Sequence, residues 1–158
     1  MMKSKRKKVL LIEPNYANKY PPIGLMKLST YYKNLGGWDV TFYKGDLKTF
    51  VIERIADRCI EDFEKTDKSI DWWLKRDEFV EYIKTRKKET VEKIAIDRSD
   101  MELILLAKLT EWKDFYWKGI WKKEPEWDRV GVTTLFTFYW DITVETINFA
   151  KLLVKKKK

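Results

Sequence analysis

The 158-residue sequence predicts an α/β fold with three parallel strands in the order two-one-three and a large helical insertion between the second and third. Three observations predict it. Val9-Leu10-Leu11-Ile12 is apolar at successive positions, the pattern of a strand covered on both faces. A polar turn then opens a segment whose apolar residues Leu25, Leu28, Tyr32 and Leu35 recur at three- and four-residue steps, which is helical spacing. A second strand, Asp39 to Tyr43, follows, and a third, Arg129-Val130-Gly131-Val132-Thr133-Thr134-Leu135-Phe136, comes only after the insertion. A β-α-β unit crosses over right-handed almost without exception, which sets the sense of the sheet.

The elements divide the chain into a basic arm (1–7), a first β-α-β half (8–46), an insertion (47–128), a third strand with its helix (129–154) and a basic tail (155–158), read as one incomplete domain. Gly36-Gly37 stops the first helix, because the residue past a helix end commonly needs positive φ. Within the insertion, Ile52, Ile55, Ala56, Cys59, Ile60 and Phe63 form a stripe of helical period, so Cys59 is expected to be a buried structural thiol. A second helix is expected from Ser69 or Asp71, both capping residues, through Trp72, Trp73, Phe79, Val80 and Ile83. Lys84 to Lys93 reads as a solvated face. A third helix, from about Ser99, carries Met101, Ile104, Leu105, Leu109, Trp112 and Tyr116. Trp117, Trp121 and Trp127 surround the exit at Glu124-Pro125-Glu126; packing explains them first, the lining of an apolar ligand second. The third strand ends in Phe138-Tyr139-Trp140, and Asp141 is expected to cap a last helix bearing Val144, Ile147, Ala150 and Val154.

Net charge is +8, but its distribution matters more than its size. Lys3, Lys5, Arg6, Lys7 and Lys8 lie at the start, and Lys151 with Lys155 to Lys158 at the end; without these ten the 33 basic residues fall to 23 against 25 acidic ones. An excess carried by tails rather than by the folded body argues against a nucleic-acid surface. With no histidine and one cysteine, the chain cannot build a zinc site, an iron–sulfur cluster or a serine– or cysteine–histidine nucleophile by itself. It has neither Gly-x-Gly-x-x-Gly after the first strand nor a P-loop. No apolar run reaches the ~20 residues of a membrane span, and the lone cysteine suits a reducing compartment, so a cytoplasmic location is expected.

In an open α/β sheet, ligands bind beyond the carboxyl ends of the strands, where the order reverses. That places the candidate site on the loop Asn15 to Gly24 and at the end of the third strand. Pro21 and Pro22 stiffen the loop, and Gly24 would let a backbone or ligand approach the start of the helix, whose free amides suit an anionic or polar group. The loop could equally do no more than turn the chain. Glu13 reads as a solvated loop residue or as an acceptor for a ligand hydroxyl. Thr133 and Thr134 fit sheet propensity as well as recognition.

Tyr20-Pro21-Pro22-Ile23-Gly24-Leu25 after the first strand, the Gly36-Gly37 break and the strand Val130 to Phe136 together resemble the amino-terminal cobalamin-binding-type domain of radical S-adenosylmethionine proteins. The resemblance covers about half the chain, at its two ends. It implies a flavodoxin-like (Rossmann-type) sheet, non-catalytic alone, holding cobalamin or a degenerate remnant of its site over the carboxyl edge. Asn15, Tyr20, Pro21, Pro22 and Gly24 would line that edge, and Thr133-Thr134-Leu135 would stand for the Ser-x-Leu that holds the nucleotide tail. The histidine that ligates cobalt in an Asp-x-His-x-x-Gly loop has no counterpart here. The resemblance places the iron–sulfur cluster and S-adenosylmethionine in a barrel outside this chain, whose three cysteines nothing here matches. A missing carboxyl-terminal barrel region, a second copy or the inserted helices are expected to cover the open edge of the third strand. The competing class is a cofactor-free scaffold whose aromatic insertion binds protein; a nucleic-acid binder acting through the lysine-rich ends is the third.

Overall fold

The computed structural model describes residues 5–17, 20–94, 102–134 and 139–156. Its backbone forms two compact units, a sheet unit (residues 1–47 and 124–158) and a helical unit (48–123).

In the sheet unit, β1 (Lys7–Glu13), β2 (Trp38–Lys44) and β3 (Arg129–Val132) form one parallel sheet in the order β2-β1-β3. Val9 sits opposite Val40 on one side and Arg129 on the other, and Leu11 opposite Phe42 and Gly131. The first crossover is α1 (Ile23–Leu35), which ends at Gly36 and Gly37 with φ of +72° and +69°, as the glycine pair anticipates. Alternate residues of β1 serve opposite faces. Val9 and Leu11 pack with Leu25, Tyr32, Trp38 and Val40 beneath α1, while Leu10 and Ile12 are fully buried on the other face. At Gly131 an added Cβ would lie 3.1 Å from the Leu11 side chain, so the glycine lets β3 run close to β1.

β3 is shorter than the sequence suggests. The Thr133 amide still donates to the Ile12 carbonyl at 2.9 Å, but regular pairing stops at Val132; Leu135, Phe136 and Phe138 lie outside the described residues. The helix that follows, here numbered α6 (Trp140–Ala150), has Tyr139 at its cap without a side-chain bond, so Asp141 lies in the first turn and does not cap it. Beyond α6 the chain returns to the sheet. Trp127 N–H donates to the Leu153 carbonyl at 3.3 Å and the Lys155 amide to the Trp127 carbonyl at 2.8 Å, a parallel bridge between Trp127 and Val154. Because Asp128 N–H donates to the Lys8 carbonyl and successive backbone groups point opposite ways, Val154 lies on the side of this segment away from β1.

The helical unit carries α2 (Leu47–Thr66), a 3₁₀ turn (Trp72–Lys75), α3 (Arg76–Thr85), α4 (Lys88–Ile94) and α5 (Glu102–Trp117). The whole predicted stripe of α2 is buried, Cys59 included. Phe63 meets Trp72 and Phe79 edge-on, with ring centroids 5.1 and 5.0 Å apart. The second predicted helix is split. Asp71 caps the 3₁₀ turn through the Trp73 amide, and Trp72 Nε1 donates to the Asp67 carbonyl, anchoring the turn before α3 begins. Lys84 to Lys93 is not simply a solvated face, because α4 buries Thr90 and Ile94 at a helical step. In α5, Leu105 and Leu109 are buried but Ile104 is half exposed; Ser99 and Met101 lie outside the described residues. Trp121 and Trp127 are buried, whereas Trp117 is half exposed and stacks under the Arg86 guanidinium at 4.1 Å. No helix among the described residues is long and apolar enough to cross a membrane.

Candidate functional site

The carboxyl ends of β1, β2 and β3 bring together groups that are distant in sequence. Glu13 ends β1 and Lys44 ends β2, directly opposite in register, with Lys44 Nζ 3.3 Å from Glu13 Oε1. The Glu13 side chain is 2% exposed and the Lys44 side chain 40%. Glu13 is therefore not a solvated loop residue: it is a buried carboxylate whose Oε1 has an ion-pair partner but no hydrogen bond. Burying a charge is costly unless it is paired, so Lys44 is the group that makes this position tolerable.

Two residues beyond Pro14, Tyr16 turns inward and is almost wholly buried. Its hydroxyl is hydrogen-bonded to the Thr143 hydroxyl and lies 3.2 Å from the Thr133 carbonyl, while Thr143 Oγ1 lies 2.8 Å from the Tyr139 carbonyl, so two hydroxyl protons serve these three contacts. The Tyr16 ring packs on Tyr139 with centroids 5.0 Å apart. One side chain thus ties the loop after β1 to the end of β3 and to the first turn of α6. The Thr133 carbonyl would meet the backbone nitrogen of Pro14, which has no hydrogen to donate, and it is the Tyr16 phenol that reaches it instead.

The residues singled out from the sequence do not gather around this point. Asn15, Tyr20, Pro21 and Gly24 are exposed and Pro22 is half-buried. The backbone gives the proline turn a local role, with the Ile23 amide donating to the Pro21 carbonyl and the Met26 amide to that of Pro22. A Cβ at Gly24 would meet nothing within 4 Å, and its φ is not positive, so neither strain nor close approach inside this chain calls for glycine there. Thr133 is half-buried, Thr134 exposed, and Leu135 outside the described residues. Of the predicted set, Thr133 alone joins the buried cluster, and it does so through its backbone.

Tyr16, Lys44 and Thr143 carried only weak signals: an aromatic between Asn15 and Ala17 in a polar turn, a lysine at a strand end, and a threonine on an amphipathic helix. Among the described residues the edge is acidic, since Glu13, Asp46, Asp141 and Glu145 stand against Lys27 and Lys44. Among the described residues there is no group of three or more histidine, cysteine, aspartate or glutamate side chains placed to hold a metal ion. No protein-family model matches the chain, and neither a curated protein nor a solved structure gives a match.

Proposed function

We propose that the chain is a non-catalytic domain of the cobalamin-binding type, belonging to a radical S-adenosylmethionine protein, in which the cofactor position is degenerate. The kinship is supported by the parallel order β2-β1-β3 with the Tyr20-to-Leu25 turn opening α1 at the carboxyl edge. The degeneracy is supported by Tyr16. The residues at this edge do not fit a bound cobalamin: the loop has no histidine, and the Thr133 carbonyl beside which the nucleotide tail would run faces the buried Tyr16 hydroxyl. The iron–sulfur cluster and S-adenosylmethionine belong, in this reading, to a barrel outside the chain.

The same reading assigns the outer edge of β3 to a neighbouring segment. The Trp127–Val154 bridge already lays this chain's own residues 153–155 along the start of that edge, in the parallel sense. A scaffold role is the second reading. It draws on Leu74 and Leu103, aliphatic side chains 83% and 81% exposed on the helical unit. A reading frame continuing past Lys158 into a Cys-x3-Cys-x2-Cys barrel would favour the first.

The experiment is direct. The purified chain is incubated with hydroxocobalamin, desalted and scanned in the visible. No absorbance should travel with the protein. Stoichiometric retention by the unaltered chain would overturn the degenerate assignment.

A further inference from the structure

Along the sequence, the excess of basic residues falls in two tails at opposite ends of the chain. The fold brings those ends to one place. β1 starts at Lys7, so the arm Lys5-Arg6-Lys7-Lys8 enters the sheet at its amino edge; the Trp127–Val154 bridge returns Lys155 and Lys156 to the same edge. The two segments flank β3, two strand spacings apart, or roughly 10 Å. Helices run antiparallel to the strands they follow, so Lys33 at the end of α1 and Lys151 just after α6 arrive there too, with Arg129 at the start of β3. Nine basic residues then face four acidic ones, Asp39, Glu124, Glu126 and Asp128, a surplus of five. At the carboxyl edge the balance among the described residues is reversed, with four acids, Glu13, Asp46, Asp141 and Glu145, against Lys27 and Lys44. The sheet unit is polarised along its strands.

The acidic residues at the amino edge hold the bases in position. Asp39 takes Arg6 at 3.1 Å, Glu126 takes Lys8 at 2.6 Å, and Asp128 accepts from the Lys8 amide at 2.7 Å and from Lys155 Nζ at 3.0 Å. Asp128 thereby joins the incoming arm to the outgoing tail. Arg129 is fixed against aromatic rings, its guanidinium 5.0 Å from the Trp38 centroid and donating to the Tyr32 hydroxyl at 3.1 Å. Beside it Tyr31 is 57% exposed.

We infer that the amino edge of the sheet is a binding surface for single-stranded nucleic acid. Two basic segments about 10 Å apart, pinned by ion pairs, form a track for one phosphodiester backbone, and an exposed tyrosine next to an arginine offers a base a stacking surface. A lipid surface would need the charge but neither the fixed spacing nor the ring. The inference does not depend on the cofactor reading, because it concerns the opposite edge of the sheet.

The test is fluorescence anisotropy of the full chain with a labelled 20-nucleotide oligouridylate between 50 and 200 mM salt. Log affinity should fall linearly with log salt, at about −0.7 per phosphate contacted. Changing Lys5, Lys7, Lys33, Lys151 and Lys156 to glutamine leaves the ion-paired Arg6, Lys8 and Lys155 in place and should flatten that slope by about half or more. Y31A should weaken binding at least about fivefold with the slope unchanged, and E145Q, at the other edge, should change neither. Three results overturn the inference: no binding at 50 mM salt, a slope indifferent to the five lysines, or binding to phosphatidylserine vesicles without binding to the oligonucleotide. Circular dichroism of each variant confirms that the fold is intact.

Discussion

Tyr16 and Thr143, 127 positions apart in sequence, share a hydrogen bond that closes the carboxyl edge of the sheet. The bond exists because β1 and β3 are neighbours. β1 delivers Tyr16 on its trailing loop, and β3 delivers Thr143 on the first turn of the helix that follows it. A ligand entering at the reversal of strand order would have to displace the phenol and the contacts it makes.

Next to this bond, the Glu13–Lys44 pair should show the asymmetry of a buried carboxylate and a half-exposed ammonium. Lys44→Met leaves a charge in the core without its partner, which should cost about 1–3 kcal/mol after allowance for the exposure of the lysine. Glu13→Gln removes the charge itself and should cost less. Urea unfolding of the two variants checks the order, and a Glu13→Gln loss larger than that of Lys44→Met would contradict it.

Asp128 sets an acid limb to stability. The Lys8 amide, then Lys155, hold its carboxyl below the ordinary carboxylate range. A carboxyl group whose pKa is depressed on folding stabilises the chain above its unfolded value of about 4, and that contribution disappears as the pH falls through the folded value. Unfolding midpoints measured from pH 6 to 3 should therefore fall more steeply in the unaltered chain than in Asp128→Asn.

Cys59 should be inert in the folded chain. Burial pushes its thiol up strongly, the nearby Asp62 carboxylate adds to this, and Lys108 opposes it only in part. The thiolate is the reactive form. Ellman's reagent should react slowly with the native chain and with one thiol per chain in denaturant; prompt reaction of native protein would show that α2 opens.

Where a segment's apolar residues followed one period, the fold was legible in the sequence. The α2 stripe from Ile52 to Phe63 is buried at every predicted position, and both neighbours of β1 were readable from apolar runs and a glycine pair. Boundaries were less legible where a side chain outranked propensity. Thr133 and Thr134 are good strand formers, yet regular pairing stops at Val132 with one further bond from the Thr133 amide, because the next donor position along β1 is Pro14, which has no N–H. Trp72 reads as part of a continuous helix, yet the Asp67 carbonyl holds it in a separate turn. The candidate site was the least legible part. Loop chemistry drew attention to Pro21, Pro22 and Gly24, which bond only locally, while Tyr16 depends on partners more than a hundred positions downstream that no local pattern announces.

β1 and β3 lie side by side, and Tyr16 closes their shared edge. A double-mutant cycle on Tyr16→Phe and Thr143→Val, read by equilibrium unfolding in urea, tests this closure most directly. Each single change should cost about 0.5–1.5 kcal/mol, and the pair should cost less than the sum by roughly 0.5 kcal/mol or more. Strict additivity would mean that the two hydroxyls do not meet, and the edge would then be open.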